Sequence, residues 1–302
     1  MLVLAYLACA AAWGTTWYGI RRSLAGFPPA PGVAIRFLLA AAVLWTILFA
    51  RGEAGTIGRR WKVVAVAGLL NAVAYALIYE AERRITGGLA AVLYATMPLV
   101  MALLAAGLRI ESVRARQVAG ALAGVAGIWL LFRDELAAAG AAGAGGVALV
   151  LLSVVCAASH AVLVKRRAPE VGALAVTTIF ATVTGVAMLA AWPILFRTQT
   201  VRWDAAAAAS LVYLALVGTV LAFVAYFFLL RHVKVMTIST LVLVTPVVAL
   251  VVDASAGERA LTLRGLLGPL VVLAGVGLGF GRIRREAPPG DPCFSFPRRG
   301  AP

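Results

Sequence analysis

The sequence is poor in charged residues and in histidine, and these shortages exclude several classes of protein. Only 13% of its 302 residues are charged, whereas a soluble domain has about a quarter. Two histidines and three cysteines, without metal-ligand spacing, indicate neither a metal site nor a disulfide framework. The patterns GxxxxGK[ST], GxSxG and HExxH are also absent, so we expect no direct use of ATP and no enzymatic activity.

Apolar residues are what the chain has in abundance. They make up 63% of the sequence, and the mean hydropathy is +0.99. They fall in runs close to 20 residues long, which is about the length a helix needs to cross a bilayer. The net charge of +15 sits in short clusters between these runs, where it acts as a topology signal rather than a nucleic-acid surface. The sequence predicts an all-α polytopic membrane protein in contact with the lipid bilayer, with no nucleic-acid partner.

Ten transmembrane helices are predicted, and the first is expected to be retained rather than cleaved as a signal peptide. The connections are short, and the Ala/Gly-rich stretch 135–146 is the best linker. We predict a first five-helix repeat over 1–138, a second over 139–281 and a disordered, basic cytoplasmic tail over 282–302. The spans cover about 2–20, 32–50, 62–79, 85–108, 115–132, 145–164, 171–196, 206–230, 236–252 and 262–281.

Lysine and arginine are more frequent on one side of these spans than on the other. With the N-terminus inside, the inner loops and the tail carry the excess, as the positive-inside rule requires. The excess is small once the tail is left out. The sequence therefore predicts a multi-pass protein of a bacterial-type inner membrane with both termini in the cytoplasm.

An internal repeat relates the two halves of the chain. Residues 86–132 align with 234–280 at an offset of 148 residues, which pairs Pro98 with Pro246, Gly120 with Gly268 and Phe132 with Phe280. A half with five spans, an odd number, places the next half in the membrane upside down. Two inverted halves that hold a substrate near the midplane are a design of secondary transporters.

Several segments together resemble the EamA-type branch of the drug/metabolite transporter superfamily. They are "AAAWGTTWYGIRR" in the first span, "AIRFLLAA" in the second, "GLAAVLYATMPLVMALLA" in the fourth and "GERALTLRGLLGPLVVLAGVGL" near the end. The resemblance implies a ten-helix carrier of small metabolites, often an exporter of amino acids or related compounds, without a cofactor. It also implies that spans one, three, four, six, eight and nine form the pathway.

Arg36 is the one arginine inside an apolar run, about four residues from the start of the second span. A charge at a helix centre costs about 2.5–3.5 kcal/mol on insertion scales, and less near an end. One interpretation is an anchor at the outer interface. The other is a guanidinium that faces the bundle and binds a substrate carboxylate or an acidic neighbour.

The third span has a polar stripe at four-residue spacing. Asn71, Tyr75 and Tyr79 lie along one helix face with Glu82 near its end, and Phe223 and Phe227 follow the matching stripe of the eighth span. The stripe predicts one wall of a central cavity, or alternatively an interfacial tyrosine belt with an interhelical amide bond. Glu80 and Glu82 adjoin Arg83 and Arg84, so one of the two carboxylates is expected to pair locally.

Other spans supply further pathway candidates. Trp13 and Trp17 share a face of the first span, and Tyr94 lies in the fourth. Thr15 and Thr16 beside the tryptophans are expected to bond carbonyls of the preceding turn. His160 is the one histidine within a span; it is either a packed bundle residue or the group that couples transport to protons.

Pro98 and Pro246 fall in the middle of the fourth and ninth predicted spans. A proline inside a helix removes one hydrogen bond and bends the axis, so the pair predicts kinks, used either for packing or for gating. Glycines in spans five and ten predict close helix contact and a scaffold role, in a monomer or a homodimer.

These observations predict a secondary carrier that moves a small amphipathic metabolite, most simply outward, by alternating access. The alternatives are a multidrug or polyamine exporter and, from another class, a membrane-embedded enzyme or lipid-carrier flippase. Few acidic residues lie deep in the spans, which argues against a polycation site.

Overall fold

The structure is a computed structural model, and it describes residues 1–58, 60–85, 90, 93–108, a few isolated positions between 115 and 129, 140–195 and 197–255. The described residues form helices and connecting loops. The predicted tenth span and the tail over 282–302 lie outside these described ranges, and of the predicted fifth span only isolated positions are described.

Eight of the ten predicted spans have a helix at the expected place. The helices are α1 (Leu2–Leu24), α2 (Pro29–Ala50), α3 (Trp61–Ala81), α4 (Met97–Gly107), α5 (Gly140–Arg167), α6 (Ala173–Leu195), α7 (Ala205–His232), α8 (Val235–Ser239) and α9 (Leu241–Ser255), with a short 3-10 helix at Ala54–Ile57. Thus α5, α6 and α7 are the sixth, seventh and eighth spans, and α8 with α9 forms the ninth.

Five of these helices are long and apolar enough to cross a bilayer. They are α2, α3, Gly143–Arg167 of α5, Ala173–Ile194 of α6, and α7. Many of their large apolar side chains point outward, as do Leu69, Leu152 and Leu189, each at least 46% exposed. An outer surface of this kind suits hydrocarbon rather than water.

Loops meet at the two ends of the bundle. At one end, the amide of Arg202 donates to the carbonyl of Gly26 at 2.9 Å. At the other end, Arg60 bonds Glu170 at 3.0 Å, and Lys165 donates to the carbonyl of Val233 at 2.8 Å. We refer to these as the Gly26 end and the Glu170 end.

Close helix contacts set the centre of the bundle. α3 packs between α5 and α6, and α2 packs along α6. Gly185 lets α6 approach α2, because a Cβ there would lie 2.8 Å from Cγ and 2.9 Å from the amide nitrogen of Leu38. Small residues at such crossings allow apolar helices to pack without a large side chain between them.

The fourth span is interrupted next to Pro98, since residues 93–94 are helical and a turn separates them from α4; a role of this break in packing or gating stays a prediction. Pro98 lies in the first turn of α4, after a turn at Ala95–Thr96, where its missing amide has no helical partner to lose. Position 246 lies inside α9, where a proline leaves the carbonyl of Val242 without its helical donor. This carbonyl instead accepts a hydrogen bond from Oγ1 of Thr245 at 3.1 Å. A hydroxyl in the same helix thus replaces the lost donor.

Candidate functional site: an aromatic cavity between six spans

A cavity lies inside the bundle, and its described walls come from the first, third, fourth, sixth, eighth and ninth spans, the set that the family resemblance implied. Residues from α1, α3, α4, α5, α7, α8 and α9 contribute, together with Tyr94 just before α4. They are Trp13, Thr16, Trp17, Ile20, Asn71, Ala74, Tyr75, Ile78, Tyr94, Met97, Met101, Ser153, Ala157, His160, Phe223, Tyr226, Ile238, Ser239, Val242 and Thr245.

The described walls are aromatic and contain no Lys, Arg, Asp or Glu. Trp13 packs its ring 5.4 Å from Phe223 and 5.1 Å from Tyr226, and Trp17 lies 6.0 Å from Tyr94, centroid to centroid. Met97 and Met101 add flexible, polarizable surface. A wall of this type suits an apolar or aromatic group, while a few polar atoms fix its orientation.

Asn71 ties the cavity wall to the neighbouring helix. Its side-chain amide donates to Oγ1 of Thr184 at 3.1 Å, and that hydroxyl donates to the carbonyl of Gly68 at 3.0 Å. Ser153 acts similarly, since its hydroxyl donates to the carbonyl of Ala74 at 2.8 Å. Asn71 therefore lines the cavity and makes an interhelical amide bond, so both of its predicted features are present.

The threonines of α1 bond their own helix, as the sequence indicates. Thr15 donates to the carbonyl of Ala12 at 2.8 Å, and Thr16 donates to the carbonyl of Trp13 at 2.7 Å. Such bonds satisfy the hydroxyls within α1.

Arg36 is fully buried, with 0% of its surface exposed, and it lies outside the cavity wall. Its Nε donates to Oγ1 of Thr219 at 3.0 Å, and its Nη2 donates to the carbonyl of Gly218 at 3.1 Å. The hydroxyls of Tyr79 and Tyr75 accept longer bonds of 3.4 and 3.5 Å. The guanidinium therefore faces the bundle, joins α2 to α7 and is held by neutral oxygens; binding of a substrate carboxylate stays a prediction.

The partners of Arg36 sit in an unusual part of α7. Residues Leu216–Leu221 form a π-helical segment in the middle of this helix. Gly218 leaves room for the guanidinium, because a Cβ there would lie 3.1 Å from Nη2 of Arg36 and 2.6 Å from Cγ2 of Thr16. Such π-helical segments recur at functional sites in helices. Here the segment lies one turn from the cavity residue Phe223.

Some of the predicted pathway residues line the cavity, and others do not. The cavity brings together seven of them: Trp13, Trp17, Asn71, Tyr75, Tyr94, His160 and Phe223. Tyr79 is turned toward Arg36, and Phe227 packs behind the wall with its ring 5.1 Å from that of Phe180.

Tyr226 is the main cavity residue that sequence reasoning missed. It follows Phe223 by three residues, a spacing that places both on one helix face, so its position was readable from the sequence. Met97, Met101 and Thr245 also line the cavity unpredicted. They carry no chemical signal that separates them from ordinary packing residues.

Glu82 and Glu80 have different surroundings at the Gly26 end. Glu80 pairs with Arg83 and with Arg84, at 3.0 and 3.1 Å. Both carboxylate oxygens of Glu82 are buried and have no hydrogen-bond partner. Burial raises the pKa of Glu82 to about 8, while the charges of Arg21 and Arg36 oppose the rise.

The chain matches the EamA-like transporter family over residues 1–133 and 144–280. It belongs to this family. Its curated relatives include the uncharacterized inner membrane transporter YedA of Escherichia coli K12, 29% identical over 83% of this chain and 81% of YedA. Protein PecM of Dickeya dadantii is 26% identical over 87% of this chain and 86% of PecM. The protein is therefore a multi-pass membrane transporter in contact with the lipid bilayer.

A solved crystal structure has the same fold. It superposes with a TM-score of 0.78 over 92% of this chain and 97% of the other, at 20% sequence identity. At that identity the likeness concerns the arrangement of helices alone. The helices around the cavity therefore form an architecture that a distant sequence also adopts.

Proposed function

We propose that this EamA-family member is a secondary carrier that moves a small amphipathic metabolite, such as an amino acid or a related compound, by alternating access. The observation that carries the proposal is the aromatic cavity, which six spans from both halves of the chain surround. Substrate sites of carriers lie at such an interface between repeats, near the midplane of the bilayer.

Pairs of cavity residues support two inverted five-helix halves. At the offset of 148 residues, Tyr75 corresponds to Phe223, Ile78 to Tyr226, Tyr94 to Val242 and Met97 to Thr245, and all eight line the cavity. Helix packing has the same relation: α1 packs on α7 and α9, as α5 packs on α3 and α4. Two halves related in this way can exchange roles, which alternating access requires.

Export is the proposed direction, and it rests on family analogy. Among the alternatives, a polyamine exporter needs acidic groups to hold several ammonium charges. The described cavity wall offers none. The match to a transporter family argues against the enzyme alternative.

Protons are the proposed coupling ion, with His160 as the group that exchanges them within the pathway. His160 lines the cavity, is 4% exposed, and its Nδ1 has no hydrogen-bond partner. Its ring packs on Phe180 at 5.1 Å, and the other titratable groups on the described wall are Tyr75, Tyr94 and Tyr226. Imidazole is the side chain whose ordinary pKa lies nearest neutrality.

Sealed proteoliposomes test the carrier. We expect purified protein to move one member of a radiolabelled panel of amino acids and related uncharged compounds across the membrane, faster with an imposed pH gradient, and to lose this activity when the vesicles are made leaky. The variant His160→Gln should flatten the pH profile. Turnover of a compound by detergent-solubilised protein, with no accumulation in sealed vesicles, would instead favour an enzyme.

A further inference from the structure

Three buried polar atoms on the cavity wall have no hydrogen-bond partner. They are Nε1 of Trp13 on α1, Nδ1 of His160 on α5 and the hydroxyl of Tyr226 on α7. Buried polar groups in proteins are bonded in the large majority of cases, so each exception needs an explanation. Together with the two oxygens of Glu82, these three are all the buried side-chain polar atoms without a partner in the described part of the chain.

The three residues line the same cavity. The ring of Trp13 lies 5.1 Å from that of Tyr226 and 5.4 Å from that of Phe223. His160 is linked to the same aromatic cluster through Phe180, whose ring is 5.1 Å from both His160 and Phe223. Three residues from three spans, each with an unbonded polar atom, thus contact one aromatic cluster inside one cavity.

The chemistry of these atoms limits what they can bind. The indole N–H of Trp13 is a donor only, whereas the Tyr226 hydroxyl and a neutral imidazole nitrogen can donate or accept. A ligand must therefore present an acceptor, such as a carbonyl or hydroxyl oxygen. With His160 neutral, a formal charge would lack a counter-charge on the described wall, and Arg36 is already bonded to Gly218 and Thr219. Burial of an unpaired charge is far more costly than burial of a bonded neutral group.

We propose that Trp13, His160 and Tyr226 form the polar subsite for a solute that carries an uncharged carbonyl or hydroxyl group on an aromatic or apolar body. The proposal rests on the proposed function and narrows it: among small amphipathic metabolites, the cavity selects uncharged compounds related to amino acids over free amino acids, which carry an ammonium and a carboxylate. The aromatic wall packs against the apolar body of the solute, and the three polar atoms form hydrogen bonds with its uncharged polar group.

A series of indole compounds tests this selection, since it keeps one aromatic body and changes the group attached to it. Indole-3-acetamide is neutral and hydrogen-bonding, 3-ethylindole is apolar, indole-3-acetate is an anion and tryptamine is a cation. Binding to the detergent-purified full chain is measured by calorimetry and by the rise in melting temperature that a bound ligand causes. We expect the amide to bind at least about tenfold more tightly than each of the other three.

Two pairs of variants localise the effect. Tyr226→Phe and Trp13→Phe should each weaken binding of the amide about fivefold and change binding of 3-ethylindole by no more than about twofold. The 3-ethylindole measurement shows how much of any loss comes from a change in the shape of the cavity. The controls are Tyr213→Phe and Trp45→Phe, which make the same replacements outside the cavity, where the hydroxyl bonds Thr15 and the indole bonds Thr182. Both controls should bind the amide as the wild type does.

Tighter binding of the anion or the cation would overturn the proposal, and so would equal losses for the amide and for 3-ethylindole in Tyr226→Phe. These binding measurements need no sealed membrane. Selective binding of the amide without transport into vesicles would contradict the carrier function but support the polar subsite. Transport by a protein that binds the charged compounds more tightly would support the carrier function but contradict the polar subsite.

Discussion

At the scale of single residues, Glu82 is the acidic side chain whose surroundings are least usual. It follows the last residue of α3, and neither of its buried oxygens accepts a hydrogen bond. Glu80, two residues earlier, has two arginine partners. The two carboxylates are close in the sequence, but a helix turns neighbouring side chains in different directions.

Glu82 predicts how stability depends on pH. Its pKa is raised from 4.5 to about 8 in the folded protein, so the folded chain binds this proton more tightly than the unfolded chain does. The contribution of Glu82 to stability is then greatest below pH 4.5 and falls as the pH rises toward about 8. Because Glu82→Gln removes the titration, it should reduce the loss of melting temperature between pH 5 and pH 8, by about 5 °C or more.

The matched control for this measurement is Glu170→Gln. Glu170 is exposed and pairs with an exposed arginine, so its removal should change the melting temperature little. Scanning fluorimetry at several pH values gives both curves. Parallel curves for Glu82→Gln and the wild type would show that the pKa of this carboxyl is not raised in the folded state.

At the scale of helices, Arg36 and the π-helical segment of α7 form one unit. The segment places the carbonyl of Gly218 and the hydroxyl of Thr219 within reach of a guanidinium from α2. Bonds to neutral oxygens and the ring of Tyr75, 4.9 Å from Cζ of Arg36, offset part of the cost of burying the charge. A buried arginine in an apolar span is thus retained as a link between two helices.

Replacing Arg36 by lysine should weaken this link. A lysine ammonium is a compact point charge and cannot reproduce a planar group that donates from Nε and Nη2 at once. We expect Arg36→Lys to lower the free energy of unfolding by about 1–3 kcal/mol and to lower transport with it. Thermal unfolding in detergent measures the first effect, and vesicle transport the second.

Arg22→Lys is the control, because Arg22 is exposed at the end of α1 and the same change there should be silent. If Arg36→Lys kept the wild-type melting temperature and lost only transport, Arg36 would contact the solute rather than hold α2 to α7. That result would restore the alternative interpretation of this residue.

At the scale of the whole molecule, the orientation in the membrane decides which end of the bundle faces the cytoplasm. We predict that the Glu170 end faces the cytoplasm, because the weak positive-inside bias puts the N-terminus there. Single cysteines test this in a background with Cys9, Cys156 and Cys293 replaced. Gly55→Cys, near the Glu170 end, should react with an impermeant maleimide only after cell lysis, and Thr200→Cys, at the Gly26 end, should react in intact cells.

Both positions are exposed, and a Cβ at Gly55 meets no atom within 4 Å, so access rather than packing decides the labelling. The opposite pattern would mean that the protein is inserted the other way round. The cavity would keep its walls in that case, while the proposed direction of transport would need a new argument.

The predicted polar stripe on α3 shows how far sequence reasoning reached. Residues four apart on a helix with 3.6 residues per turn drift by about 40° at each step. Asn71 and Tyr75 therefore face the cavity, whereas Tyr79, one step further, is turned toward Arg36. Ile78 takes its place on the wall. The period predicted the correct face, and the drift along the helix set where that face ended.

The sequence by itself determined that the chain is a membrane protein, where its described helices lie and which transporter family it belongs to. These properties depend on the length and period of apolar runs and on residues close together along the chain. Only the tertiary structure decided which polar atoms meet. Arg36 bonds Thr219, 183 positions away in the sequence. Nε1 of Trp13, Nδ1 of His160 and the hydroxyl of Tyr226 have no partner among the residues that the structure describes. Hydrogen bonding depends on distances between helices, which no local pattern records.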